Sequence, residues 1–255
     1  MADNSNINLL NKAFDIIELF VNEHREMGVT EISRKLNLVK SGTFRILNTL
    51  KDRGFIFQNP QTKAYGLGLK FYFVGAEVLS KMPLCTAARQ ALDPLCDYFH
   101  QNFYFAIPFL ATKGEQKIIV IYVTNNKDVD NVFINAGTII SAHCLAIGQS
   151  ILANLSDSEL LTIKDSVLEK ITDNTIDNWS DLDKKIAVIR DKNVAISENT
   201  YKQGFMDIAV TVYDSMHYPI GAIGVFGDNI KIKGISYNSL VRKMHAAAAK
   251  ISEIL

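Results

Sequence analysis

The stretch VTEISRKLNLVKSGTFRILNTLKDRGFIFQNPQTKAYGLGLK, residues 29–70, decides how this chain folds. Thr30 stands where a side chain caps a short helix, Glu31 to Leu36, with Ile32 and Leu36 on one face. Residues Asn37 to Lys40 separate it from a second helix, which Ser41 is placed to cap and which Gly54 closes near Arg53. Thr43, Ile46, Leu47 and Leu50 recur at helical spacing and form the inward stripe of that helix. The run FIFQNPQTKAYGL then offers two β-prone segments about an Asn-Pro-Gln-Thr turn, the pattern of a hairpin. Upstream, Leu9, Leu10, Ala13, Ile16, Ile17 and Phe20 give residues 8–23 the period of an amphipathic helix. Helix, helix, short turn, helix and hairpin are the order of a winged helix-turn-helix, here residues 1–68.

The charge of the chain is local. Its 255 residues carry 27 Lys+Arg and 27 Asp+Glu, a net of zero, which argues against a polybasic nucleic-acid binder. Between Gly28 and Gly66, however, Arg34, Lys35, Lys40, Arg45, Lys51, Arg53 and Lys63 face only Glu31 and Asp52, and seven minus two leaves +5. With the apolar stripe turned inward, the second helix presents Phe44, Arg45, Asn48 and Lys51. Arginine pairs with guanine edges, asparagine with adenine, and an aromatic ring can touch a thymine methyl. Lys40, Ser41 and the first amides of the helix, Gly42 among them, suit phosphate oxygens, with Arg34 adding charge from the preceding helix. Lys63, on the hairpin, is placed to reach the backbone or the minor groove. The bland alternative is a solvated face on a module that binds protein. The order of elements favours double-stranded DNA.

Beyond this module, residues 69–82 read as a linker helix whose Phe71, Val74 and Val78 share one face, ended by Pro83. A helix from Cys85 to Gln101 follows. Residues 102–111, 116–124 and 132–137 read as strands, the first two about a Thr-Lys-Gly-Glu turn. Ser141 to Leu155 reads as a helix, and Ser156 caps another through about Glu169. Residues 181–192 are helical, 193–198, 205–213 and 219–227 are strands, and Tyr237 to Leu255 is a closing helix. The expectation is an α+β chain with an antiparallel sheet in residues 83–255.

Several function classes drop out. Three cysteines without a CxxC pair do not make a disulfide framework. The start, MADNSNINLL, has no basic and apolar leader, and Ile118 to Val123 is far shorter than the ~20 residues of a membrane span, so a cytoplasmic protein without a membrane partner is expected. HExxH, GxxxxGK[ST], GxSxG and GxGxxG do not occur, and the five histidines are scattered, so no catalytic residue, metal site or cofactor is expected. His143 and Cys144 are the one tempting catalytic pair. As neighbours on a helix they would point about 100° apart, too far for a nucleophile-base bond.

Residues 29–70 resemble the DNA-binding module of the IclR family of bacterial transcriptional regulators. Leu38, Lys40, Ser41, Arg45 and Gly54 match its pattern, as does Tyr65-Gly66-Leu67-Gly68 at the wing; Val39 and Gly42 depart from it. The resemblance continues through Ala136 to Gly148, Tyr201, Gly204, Ile208-Ala209 and Ile220 to Gly227, nearly the whole chain. It implies a GAF-like effector domain, typically read by small organic acids or aromatic metabolites, and a homodimer or tetramer on a pseudo-palindromic operator. By resemblance, the effector would meet the amides of Ala146 and Ile147, near His143 on a helix that begins there. Family pocket positions fall on Ser197, Asp207, Gly224 and Phe226. Where family members that bind tiny keto acids offer hydroxyls, Gly224 and Phe226 imply an effector with an apolar or aromatic part, and Asp207 would repel a nearby carboxylate. Two alternatives stay open: a second domain that only oligomerises, or an enzyme with its site there.

Overall fold

A computed structural model of the chain describes residues 3–110, 116–126, 134–164 and 166–254. It divides into two compact units, Met1–Lys81 and Met82–Leu255.

The first unit is built from α1 (Asp3–Glu23), α2 (Val29–Lys35), α3 (Lys40–Asp52), β1 (Ile56–Gln58), β2 (Tyr65–Leu67) and α4 (Lys70–Ser80). Ile16 and Phe20 of α1, Ile32 of α2, and Ile46 and Leu47 of α3 close on Ile56 and Tyr65 of the hairpin as one core. Both α2 and α3 end on a left-handed residue. Asn37 (φ 51°) turns the chain after α2, with Asn37 N–H bonded to Arg34 O and Leu38 N–H to Ser33 O. Gly54 (φ 79°) does the same after α3, with Gly54 N–H to Lys51 O and Phe55 N–H to Leu50 O. These paired bonds satisfy the orphan carbonyls of each helix, so both stops are sharp. In the wing, Phe57 pairs with Gly66, and a Cβ at Gly66 would stand 2.8 Å from the Phe57 ring.

The expected caps are corrected. Neither Thr30 nor Ser41 caps its helix: α2 starts after Gly28 and α3 after Val39, and no side chain caps either one. The Asn37 turn delivers extended backbone at Val39, which takes the cap position two residues before Ser41.

The second unit runs α5 (Pro83–Phe99), β3 (Phe103–Leu110), β4 (Gln116–Val123), β5 (Ile139–Ser141), α6 (Ala146–Ala153), α7 (Asp157–Ile163), α8 (Trp179–Lys192), β6 (Ala195–Glu198), β7 (Phe205–Tyr213), β8 (Pro219–Asp228), α9 (Asn229–Lys233) and α10 (Tyr237–Ser252). Its six strands form one antiparallel sheet in the order β5-β4-β3-β8-β7-β6. Alternation sorts side chains to two faces. Phe103, Phe105, Ile208, Val210, Ile223 and Val225 meet α5 and α10, while Tyr104, Ala106, Ala209, Ala222 and Phe226 meet α6 and α8. The chain is therefore α+β, with helices on both faces of the sheet.

Three boundaries differ from expectation. Val132 and Phe133 lie outside the described residues, as does the Thr-Lys-Gly-Glu turn, and residues 134–137 are not strand. The edge strand is Ile139–Ser141 instead, held by Lys117↔Ser141 and Ile119↔Ile139. Ser141 to Leu145 therefore precede the helix, which begins at Ala146 rather than near His143. Helix α7 keeps its Ser156 cap, in a reciprocal box with Glu159, but ends at Ile163 instead of near Glu169. Helix α9, capped by Asp228, carries no apolar period that a sequence reading detects.

Candidate functional sites

Helix α3 turns Thr43, Ile46 and Leu47 into the core and leaves Lys40, Ser41, Phe44 and Arg45 exposed. Phe44 is 48% exposed, an aromatic ring in water on a helix that otherwise buries its apolar residues. Asn48 and Lys51 are half-buried and joined, Lys51 Nζ donating to Asn48 Oδ1 at 3.4 Å. At the start of α3 the amides of Lys40, Ser41 and Gly42 have no capping side chain, and the helix dipole adds positive potential there. Arg34 is exposed in the last turn of α2. Lys35, by contrast, donates to Glu23 at 2.7 Å, and Arg25 pairs with Glu31, so α2 carries charge that is offset locally. Lys63 is exposed at the hairpin turn in left-handed backbone (φ 59°), where Asn59 Oδ1 accepts from the amides of Gln61 and Thr62. The exposed basic groups thus sit on α3, on the end of α2 and at the tip of the wing, in one compact unit.

In the second unit, Ala146, Ile147, Ser197, Asp207, Gly224 and Phe226 come together. Ala146 N–H donates to Ser197 Oγ and Ile147 N–H to Asp207 Oδ2, each at 3.0 Å. Ser197 pairs with Asp207 across β6 and β7, and Asp207 with Phe226 across β7 and β8. The start of α6 is therefore a cradle already occupied by the chain's own Ser197 hydroxyl and Asp207 carboxyl. This carboxyl is fully buried. Desolvation raises it to about 7, against the opposing pull of the Tyr104 phenol and the two amides. Burial and Asp207 together push Tyr104 well above its ordinary range. Neither Asp207 Oδ1 nor Tyr104 Oη makes a hydrogen bond of good geometry. Gly224 is the cross-strand partner of Tyr104, and a Cβ there would stand 2.9 Å from the ring. Phe226 is 1% exposed, stacked on Phe205 at 5.2 Å and edge-on to Tyr201. The positions that line the effector pocket by resemblance are filled by side chains.

His143 does not join that group. Its Nε2 lies 2.9 Å from Glu169 O; a carbonyl only accepts, so Nε2 carries the proton. Desolvation lowers its pKa, against the pull of Glu169, and so favours the neutral ring. His143 lines a separate cavity of about 300 Å³, to which the sheet contributes Gln116, Lys117 and Ser141 and the helices Leu152, Trp179 and Leu182. Tyr104, Lys117 and Trp179 were not legible as site residues. Their neighbours lie far along the chain, and the only mark any of them carries in the sequence is that Trp179 is the single tryptophan.

The expected separation of His143 and Cys144 is overturned: Cys144 Sγ lies 3.4 Å from His143 Nε2, because the two residues precede the helix. The contact activates nothing. Nε2 is engaged with Glu169 O, and burial lifts the Cys144 thiol to about 12, away from the thiolate. Among the described residues, no three His, Cys, Asp or Glu side chains gather as a metal site, and no helix is long and apolar enough to cross a membrane.

Two family models match the chain. Residues 9–60 match the IclR helix-turn-helix domain, and residues 76–253 match the bacterial transcriptional regulator IclR C-terminal domain. The HTH-type transcriptional regulator KdgR of Dickeya chrysanthemi is 25% identical over 243 residues, 95% of this chain and 78% of that protein. The crystal structure of an IclR transcriptional regulator from Alicyclobacillus acidocaldarius superposes with a TM-score of 0.81 at 20% identity, covering 97% of this chain and 98% of that one. An IclR homologue from Microbacterium hydrocarbonoxydans, complexed with 4-hydroxybenzoate, gives 0.79 at 14% identity, with the same coverage of each chain. The chain belongs to the IclR family of bacterial transcriptional regulators, with an N-terminal helix-turn-helix DNA-binding domain and a C-terminal effector-binding domain.

Proposed function

We propose that this chain is a cytoplasmic regulator, not an enzyme, which binds a pseudo-palindromic DNA operator as a homodimer or tetramer and releases or grips it in response to a small organic acid or aromatic metabolite. Helix α3 carries the reading: its apolar side is consumed by the core, and what remains outward is Lys40, Ser41, Phe44 and Arg45. Arg45 and Asn48 read bases from the major groove. Lys40, Ser41 and the Gly42 amide hold phosphates, while Arg34, Lys51 and Lys63 add backbone contacts. One such helix spans few base pairs, so two modules on half-sites a turn apart supply the rest. Helix α4 supports the pairing. It buries none of its residues: Phe71 lies edge-on to Phe55 in its own unit, and Leu69, Tyr72 and Phe73 stand exposed. Val74 and Val78, on the face expected, are exposed as well, and Phe71 is half-buried.

An effector biases two arrangements of the DNA-binding modules by its differential affinity for them, a coupling of about 1–3 kcal/mol. The neighbour that holds 4-hydroxybenzoate supports an aromatic acid as the effector class. The test is footprinting on an operator selected from random duplex DNA, with wild type and Arg45→Ala. Loss of one bidentate base contact weakens selectivity by about 1–3 kcal/mol while melting is unchanged. An unaltered footprint removes Arg45 from base reading.

A further inference from the structure

Opposite the stripe that α3 buries, Ser41, Phe44, Arg45 and Asn48 follow at i, i+3, i+4 and i+7, and so form one outward patch about two turns long. Asp52, exposed one turn further on, would repel phosphates, which leaves those two turns as the part that enters a groove. Three of the four side chains carry groups that bond to base edges. Phe44 does not, and its ring is 48% exposed although Thr43, Ile46 and Leu47 already close the inward side of the helix. In the major groove, adenine, guanine and cytosine present donors and acceptors, and the one methyl there is the C5 methyl of thymine. A phenyl ring pressed on polar edges strips water from them and returns no hydrogen bond; pressed on a methyl, both surfaces leave water favourably. Successive residues of a helix point about 100° apart, so Phe44 and Arg45 meet neighbouring positions in the groove.

We propose that Phe44 is a specificity-determining residue whose ring packs, in each half-site of the operator, on a C5 methyl beside the base that Arg45 reads. The chain then selects thymine at that position, and it takes 5-methylcytosine, which carries its methyl on the same ring atom, in preference to cytosine. This rests on the reading of α3 as the base-reading helix of a DNA-binding regulator.

The probes are duplexes of the selected operator in which each thymine in turn is replaced by deoxyuridine, a change that removes the methyl and keeps the pairing. In gel shifts with the full-length chain, one position in each half-site should lose about fourfold in affinity, the worth of one buried methyl. Phe44→Ala should bind the thymine duplex as weakly as wild type binds the deoxyuridine one, and should no longer distinguish the two. Phe44→Leu, which keeps an apolar side chain, should retain part of the discrimination, and it carries the test if Phe44→Ala melts early. Cytosine at the sensitive position weakens binding; its C5 methylation should recover about fourfold with wild type and nothing with Phe44→Ala. A deoxyuridine series with no sensitive position overturns the proposal, as does sensitivity that persists in Phe44→Ala, or an operator with no thymine in its half-sites. A Phe44→Ala chain that sediments as a smaller species, with the thymine effect intact, overturns it by giving the ring to a second copy. An Arg45-dependent footprint beside a flat deoxyuridine series sinks the methyl contact alone. A chain that selects no operator at all sinks the regulator.

Discussion

Gly42 has no packing reason to be glycine. It is the third residue of α3, its φ is not positive, and a Cβ built on it meets nothing within 4 Å. Glycine in a helix costs about 0.5–1 kcal/mol relative to alanine, a loss that a ligand's close approach to the backbone would justify. Gly42→Ala is therefore expected to stabilise the chain by up to about 1 kcal/mol in chemical denaturation and to weaken operator binding in a gel shift. Stabilisation with unchanged binding would show that DNA does not come close there. Asp207 gives the residue scale a pH dependence. Its folded pKa, about 7, lies above the unfolded value near 3.8, so the folded state holds the extra proton between them. Its contribution to stability is full below about pH 4 and is lost as pH rises through 7. Asp207→Asn keeps an acceptor for the Ile147 amide without the charge. The gap between variant and wild type in urea denaturation should widen in the variant's favour from pH 4 to pH 8, and a constant gap would mean that Asp207 titrates normally.

Among the elements, those whose period is set locally were legible and those set by a distant partner were not. The inward stripe of α3 and the stop at Gly54 follow from spacing and from the one residue that adopts left-handed backbone freely. The Asn37 stop was not seen, because asparagine, unlike glycine, is common in other conformations and does not by itself mark a helix end. Residues 139–145 are apolar and small enough for a helix; pairing with β4 makes the first three a strand. That single displacement moved the start of α6 to Ala146 and put His143 beside Cys144. The cradle's membership was legible from the resemblance, but its occupation was not, because Asp207 and Ile147 are 60 residues apart. Helix α4 carries its own test. Tyr72→Glu, at a position 78% exposed, leaves the helix content intact by circular dichroism but should shift the sedimentation coefficient toward monomer. A monodisperse oligomer in that variant would move the interface off α4.

At the scale of the whole molecule, neutrality matters most for how the chain meets DNA. With 27 charges of each sign, long-range attraction is weak, and the +5 between Gly28 and Gly66 acts only within about 10 Å at 0.1 M salt. Operator affinity should still fall steeply with salt, because the contacts themselves release counterions from phosphates. A flat salt profile in filter binding would count against phosphate contacts by Lys40, Lys51 and Lys63. The second unit answers to a different constraint. All eight residues of α6 are buried, between the sheet and α8, and its first two amides are bonded across the unit to β6 and β7. A helix of that length ordinarily frays from both ends. This one has no solvent side from which to open, so its amides exchange with deuterium only when the sheet itself comes apart. The slowest clock in the effector domain thus runs in one of its shortest helices, and a signal crossing that domain must go around α6 rather than through its melting.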